Sequence, residues 1–165
     1  MSLSCGYHTV HGASSGSGLA VAAAPSMAPG QELSVAAVTA AREALASEGA
    51  LSSGSYPRLV IQLVRVDEGP LGIAAVRAPG EPDGLQPIAR GSSVGVVGRG
   101  WVETAPGVHE WDSGDVRRTA PFSATSELAD AAAYREAART AAKELGRALA
   151  RRALGQPQPR TEASP

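Results

Sequence analysis

The pattern of apolar and polar positions predicts two helices, one near each end of the region that can build a core. Apolar residues recur every three or four positions over residues 31–47, and Gly49 is predicted to end this helix. A longer helix is predicted over residues 126–154. It carries acidic residues in its first turn and arginines in its last, which is the charge order that a helix dipole favours.

Short apolar runs and two-residue alternation predict strands before and between the helices. The first strand is the apolar run over residues 19–24. The second covers residues 58–66, where Leu59 and Leu63 share one face, and Gly69-Pro70 is predicted to break it.

Further strand signals follow in the middle of the chain. Residues 71–77 are predicted to return as a strand, and residues 78–84 form a turn-rich insertion. The strand pattern resumes over residues 88–103, with glycines that are expected to weaken it or to mark bulges. Ala105-Pro106-Gly107 is predicted to be a hairpin tip, and residues 108–118 the returning strand.

The register of this last hairpin stays open at the level of sequence. If Thr104 pairs with Val108, Trp101 lies opposite Trp111 and the two rings could form a cross-strand pair. If Ala105 pairs with Val108 instead, the two rings face opposite sides of the sheet.

The order β-α-β-β-β-α predicts an α+β fold. Two helices are expected to pack on one face of an about four-stranded, mostly antiparallel sheet, which makes a two-layer sandwich. The length of 165 residues fits one domain. We expect a flexible arm over residues 1–17, a single domain over residues 18–154 and a disordered tail over residues 155–165.

Composition narrows the function. Hydrophobic residues make up 43% of the chain but aromatic residues only 4%, so we expect a modest core built from closely approaching backbones. The formal net charge of -1 provides no general attraction to nucleic acid. A single cysteine excludes an intrachain disulfide, and no apolar run is long enough to cross a membrane as a helix.

Motifs for catalysis do not emerge from the sequence. Neither a nucleophile elbow nor a phosphate-binding loop occurs with its required neighbours. The histidines, His8, His11 and His109, lack the further ligands that a zinc site needs. We therefore expect a protein that is not an enzyme and that has no metal or cofactor. A small hydrolase is the contrary hypothesis, and it would need convergent serine, histidine and aspartate side chains.

Arginines are the more informative polar residues. We single out five that all fall on the predicted sheet or its loops: Arg77, Arg90, Arg99, Arg117 and Arg118. Clustered guanidinium groups there could bind phosphate or carboxylate groups bidentately. Scattered solubilising charge on a sheet face is the alternative interpretation.

The N-terminal segment carries a family resemblance. Ser4-Cys5-Gly6-Tyr7-His8 resembles the start of the mature LPS-assembly lipoproteins of the outer-membrane translocon, the LptE family, which begin at a lipidated cysteine followed by glycine and an aromatic residue. Those lipoproteins also have a short strand ending in proline, a helix, three strands and a long terminal helix. The proline-rich loop over residues 78–87 departs from the family pattern.

The resemblance implies a non-enzymatic role in the cell envelope. Cys5 would carry the lipid, the flexible arm over residues 1–17 would be the lipid tether, and the domain would lie at the periplasmic face of the outer membrane. It would bind an LptD-like β-barrel and help deliver lipopolysaccharide to the outer leaflet, with direct contact to lipopolysaccharide possible through the arginines. An auxiliary lipoprotein of another periplasmic transporter or of a cell-wall synthase is the alternative, because such proteins share the cysteine-glycine start and a similar sandwich.

Overall fold

The computed structural model describes residues 18–70, 73–77, 85–89, 91–123 and 127–155. Cys5, His8, His11 and Arg90 therefore lie outside the described residues. The predicted arm over residues 1–17 and the predicted tail beyond Gly155 lie outside them as well.

The described residues form strands and helices close to the predicted order. They are β1 (Ala20–Ala23), α1 (Gln31–Ser47), β2 (Arg58–Pro70), β3 (Ile73–Arg77), β4 (Leu85–Ala89), β5 (Ser92–Ala105), β6 (Val108–Asp112), β7 (Val116–Phe122) and α2 (Glu127–Ala153). The boundaries of α1 agree with the prediction, and those of α2 differ from it by one residue at each end.

The main sheet is centred on β5. Its order is β1-β2-β5-β6, and β7 pairs with the half of β5 that β6 leaves free. The pairing of β1 with β2 is parallel, whereas the other pairings are antiparallel. β3 and β4 form a separate antiparallel pair. The predicted α+β sandwich with a mostly antiparallel sheet is confirmed, with β6 and β7 together filling the place of one predicted strand.

Three of the predicted strands differ most from those observed. Gly69-Pro70 does not break β2, which continues to Pro70, and Pro70 pairs with Ser92. A proline is tolerated there because it occupies the last position of the strand, so no further pairing is interrupted. The predicted strand over residues 88–103 is divided, since β4 pairs with β3 and β5 begins only at Ser92. The predicted strand over residues 108–118 is also divided, because Gly114 adopts a left-handed conformation between β6 and β7.

Both helices pack on one face of the sheet and enclose the core. α1 lies against β1, β2 and α2, and α2 lies against β5 and β7. The core side chains that are almost fully buried are aliphatic or small and come from both layers: Ala37, Ala41, Leu45, Leu59, Leu63, Val94, Val96, Ala142, Leu145, Leu149 and Ala150. At one edge of this core Phe122 meets the ring of Tyr134 edge-on, with 5.7 Å between the ring centroids.

Glycine permits the close approach that the composition predicted. A methyl group added at Gly146 of α2 would clash with the carbonyl oxygen of Ala37 in α1. A methyl group added at Gly98 of β5 would lie 2.7 Å from the carbonyl oxygen of Gln62 and 2.8 Å from Cδ2 of Leu145. The absence of side chains at these two positions therefore lets α2 lie directly against both α1 and the sheet.

Replacing Gly146 by alanine tests this contact. Inside a helix that change normally stabilises by about 1 kcal/mol. Here we expect Gly146→Ala to lower the free energy of unfolding by about 1–3 kcal/mol, because the two helices must separate to admit the methyl group. Urea unfolding followed by circular dichroism measures the difference.

Thr140→Ala is the matched control, since Thr140 is exposed on the same helix. It should change the free energy of unfolding by no more than about 0.7 kcal/mol. A Gly146→Ala variant as stable as the parent would show that the helices are not held at this distance.

Candidate functional site

The second face of the sheet carries a set of polar and aromatic side chains that we call the open face. Strand register places these residues on the side opposite the core: Arg58, Val60, Gln62, Arg65, Val97, Arg99, Trp101, Glu103 and Arg117. Within the described ranges no helix covers this face, because α1 and α2 both pack against the core side. Val60 and Val97 are nonetheless buried beneath their longer neighbours.

Glu103 is the centre of the hydrogen-bonding network on the open face. Its side chain is 10% exposed, and its Oε2 accepts from Nε of Arg58 at 2.8 Å and lies 2.7 Å from Nη2 of the same residue. Its Oε1 accepts from Nε1 of Trp101 at 3.1 Å and lies 3.4 Å from Nε2 of His109. One carboxylate thus connects side chains of β2, β5 and β6.

These contacts lower the pKa of Glu103 below its ordinary value. The hydrogen bond from Trp101 is the largest cause, and the hydrogen bond and charge of Arg58 act in the same direction. Partial burial opposes them. Glu103 therefore stays ionised at neutral pH, and the positive charge of Arg58 compensates its negative charge.

Aromatic rings extend this network across the open face. The ring of Trp101 lies 5.6 Å from that of His109, and the Arg99 guanidinium lies 5.7 Å from the Trp101 ring centroid. Arg58 stacks over Tyr56 at 4.7 Å. Such contacts between rings and guanidinium groups hold large side chains in defined positions.

Asp112 compensates the charge of Arg99. Its Oδ2 lies 2.7 Å from Nη2 of Arg99, and its Oδ1 accepts from the backbone N–H of Gly114 at 2.7 Å. The Gly114 bond is the first cause that lowers the pKa of Asp112, and Arg99 lowers it further. The bend between β6 and β7 is therefore tied to the open face.

The hairpin adopts the second of the two registers that the sequence left open. Ala105 pairs with Val108, and Trp111 lies opposite Val102. Trp111 packs against the core, whereas Trp101 belongs to the open face. The two tryptophan rings therefore lie on opposite faces of the sheet.

The structure separates the five arginines that the sequence singled out. Arg99 and Arg117 share the open face. Arg118 pairs with Val96, which places it on the core side at the sheet edge. There burial lowers the pKa of Arg118, and the charge of Arg152 on α2 lowers it further. Arg77 ends β3 in the separate hairpin, and Arg90 lies outside the described residues.

Arg65, which like Arg58 was not among those five arginines, joins Arg99 and Arg117 on the open face. Uninterrupted alternation in β2 would put Arg65 on the same side as Leu63, but the register shifts between these two residues. This irregularity brings Arg65 opposite Val97, whose other neighbour is Arg117. A bulge of this kind has no clear signal in a single sequence, which is why Arg65 was missed.

Arg65 and Arg117 differ in how their charges are compensated. Nε of Arg65 lies 3.1 Å from Oδ2 of Asp67. Arg117 lies across Gly95, where a methyl group would come within 2.7 Å of its Nε. Among the described residues no carboxylate lies within 4.0 Å of the Arg117 guanidinium.

The described residues contain no group of three or more histidine, cysteine, aspartate or glutamate side chains that could hold a metal ion. His109 contacts Glu103 and Trp101 rather than a set of metal ligands. In the same part of the chain, no helix has the combination of length and hydropathy needed to cross a membrane.

Comparison with known proteins leaves the family open. No family model and no curated protein matches the chain. Among solved structures, it resembles a minor lipoprotein from Acinetobacter baumannii at 11% identity and a TM-score of 0.49, over 82% of this chain and 92% of that one. A candidate lipoprotein from Caulobacter crescentus CB15 matches at 16% identity and a TM-score of 0.49, over 82% and 88%.

A third solved structure is the uncharacterized lipoprotein B from Nitrosomonas europaea. It matches at 17% identity and a TM-score of 0.33, over 82% of this chain and 84% of that one. These three structures are lipoproteins by name. At TM-scores below 0.5 the likeness establishes neither a family nor a function for the chain itself.

The lowered pKa of Glu103 makes stability depend on pH. Its contribution is fully present above the ordinary value of 4.5 and is lost as the pH falls through the lowered folded-state pKa. We therefore expect Glu103→Gln to unfold at a lower temperature than the parent at pH 7, with a smaller difference at pH 3. Thermal unfolding followed by tryptophan fluorescence measures both.

Glu110→Gln is the control, because Glu110 is exposed on the neighbouring strand β6. It should leave the unfolding temperature nearly unchanged at either pH. A Glu103→Gln variant with the same deficit at pH 3 as at pH 7 would contradict the role of the ionised carboxylate.

Proposed function

We propose that this chain is the folded part of an outer-membrane lipoprotein, anchored through Cys5, that binds a large β-barrel and helps deliver lipopolysaccharide to the outer leaflet. Two features support the proposal. One is the resemblance of Ser4-Cys5-Gly6-Tyr7-His8 to the start of LptE-family lipoproteins. The other, which carries the proposal within the folded part, is the open face of the sheet.

The open face has the chemistry of a protein-binding surface. Tryptophan, tyrosine and arginine are the residues most enriched among side chains that dominate binding energy. Trp101 and Arg58 both lie on the open face, and Tyr56 stacks against Arg58. Glu103 holds two of them in place before any partner arrives, which lowers the entropic cost of association. A surface of compensated charges also suits the polar interior of a β-barrel.

The same face supports contact with anionic groups. Arg65, Arg99 and Arg117 surround Val97, and Arg117 has no carboxylate within 4.0 Å among the described residues. We propose that phosphate groups of lipopolysaccharide bind here, because guanidinium groups bind phosphate bidentately. The five-arginine hypothesis thus narrows to Arg99 and Arg117 with Arg65 added. Contacts through Arg77, Arg90 and Arg118 stay predictions.

The first experiment tests the anchor and the partner together. Mass spectrometry of the natural protein should find fatty acyl chains on Cys5, and Cys5→Ala should release the protein from membranes. The full-length acylated protein, tagged at its C-terminus and purified from membranes, should carry a β-barrel protein of the lipopolysaccharide pathway. Recovery of a transporter or cell-wall synthase subunit would support the alternative lipoprotein role, and an unmodified Cys5 would contradict both.

The second experiment tests the open face. Trp101→Ala and Arg117→Glu should each reduce recovery of the β-barrel partner about tenfold or more, as expected when a central contact is lost. Lys143→Glu is the matched charge-reversal control, because Lys143 is exposed on α2 at the opposite side of the molecule. Equal recovery with all three variants would mean that the barrel binds another surface.

A further inference from the structure

β1 is the outermost strand at one edge of the sheet, and half of its backbone groups face away from β2. The amides of Ala20 and Ala24 donate to carbonyl oxygens on the β2 side, each at 2.9 Å. Because backbone groups alternate along a strand, the N–H and C=O groups of Val21 and Ala23 point outward. The outward groups of Ala23 are therefore placed to pair with another extended chain.

A groove of about 590 Å³ lies beside this edge. It runs between residues 23–28 and the flank of α1, from Gln31 to Arg42, a distance of about 16 Å along the helix. Val35 and Val38 line it, and Val35 is 58% exposed although it is apolar. The groove is long enough for about five residues of extended chain.

Arg42 defines the chemistry of one end of the groove. Its Nη2 donates to the outward carbonyl oxygen of Val21 at 2.9 Å, which holds the guanidinium beside the strand edge. In the part of the chain that the structure describes, no carboxylate lies within 4.0 Å of this guanidinium. The guanidinium of Arg42 therefore forms one end of the groove, where its positive charge can bind an anionic group.

We propose that this edge binds an extended peptide segment of a partner protein by strand addition to β1. The segment runs antiparallel to β1, so its terminal carboxylate reaches Arg42 while an apolar side chain covers Val35 and Val38. Strand addition of this kind combines backbone hydrogen bonds with side-chain pockets. An acyl chain with an acidic head would fit the apolar lining but would leave the backbone groups of Ala23 unpaired. The proposal is independent of the function proposed for the open face.

The test is a titration of the full chain, labelled with nitrogen-15, with an acetylated pentapeptide of alternating threonine and valine that has a free terminal carboxylate. We expect the largest amide shifts at Val21, Ala23 and Val35. The C-terminal amide of the same peptide should bind about tenfold more weakly, since it loses a charge-assisted bond. A version N-methylated at the residues whose N–H groups would face β1 should not bind, because it cannot donate to the strand.

Variants separate Arg42 from general charge effects. Arg42→Gln should weaken binding of the free-acid peptide about tenfold and leave the affinity for the amide peptide unchanged. Arg135→Gln is the matched control, because Nε of Arg135 also donates to a backbone carbonyl oxygen but lies on α2. It should change neither affinity.

Four outcomes would overturn the proposal. The first is the absence of amide shifts at millimolar peptide, and the second is equal binding of the N-methylated peptide. The third is sodium octanoate shifting these amides where the peptide does not, which would indicate a lipid site. The fourth is protection of the Val21 and Ala23 amides from hydrogen exchange in the free protein, because the edge would then already be occupied.

Discussion

The contact between α1 and α2 at Gly146 and Ala37 is the constraint on which the architecture depends. Because the core contains few aromatic residues, its buried apolar surface comes from many small side chains on closely packed helices and strands. A methyl group at this crossing would move both helices, and α2 is also seated directly on β5 at Gly98. The close approach therefore sets the positions of the two helices relative to each other and to the sheet.

Because both helices pack on one face of the sheet, the apolar and charged side chains of the other face are shielded and paired in a different way. On the open face Val60 and Val97 are shielded from solvent by Trp101 and by the aliphatic parts of arginine side chains. No second layer of helices or strands covers them among the described residues. Most of the charges are neutralised within the face, through Glu103 for Arg58 and through Asp112 for Arg99. A partner would thus meet a surface whose polar groups are already arranged, with the charge of Arg117 left for recognition.

The sequence was sufficient for features that depend on local periodicity, and insufficient for those that depend on pairing. The 3.6-residue pattern located α1 and α2 within a residue. Alternation placed Leu59 and Leu63 on one face of their strand, and that face is the core side. The irregularity after Leu63 decides which face Arg65 occupies, and it arises only from pairing with β5. The candidate site was predicted least well, because its arginines were grouped by position along the chain rather than by face.

The pairing of Pro70 with Ser92 has a consequence for how the fold can vary. These two residues are adjacent in the sheet. The strands β3 and β4, which lie between them in the sequence, pair with each other and not with the main sheet. The ladder between β2 and β5 closes at that point whatever lies beyond it. Since lengthening a loop whose ends are already joined costs little entropy, this position can accept inserted or deleted chain, and it is where a reporter domain could be grafted without disturbing the scaffold.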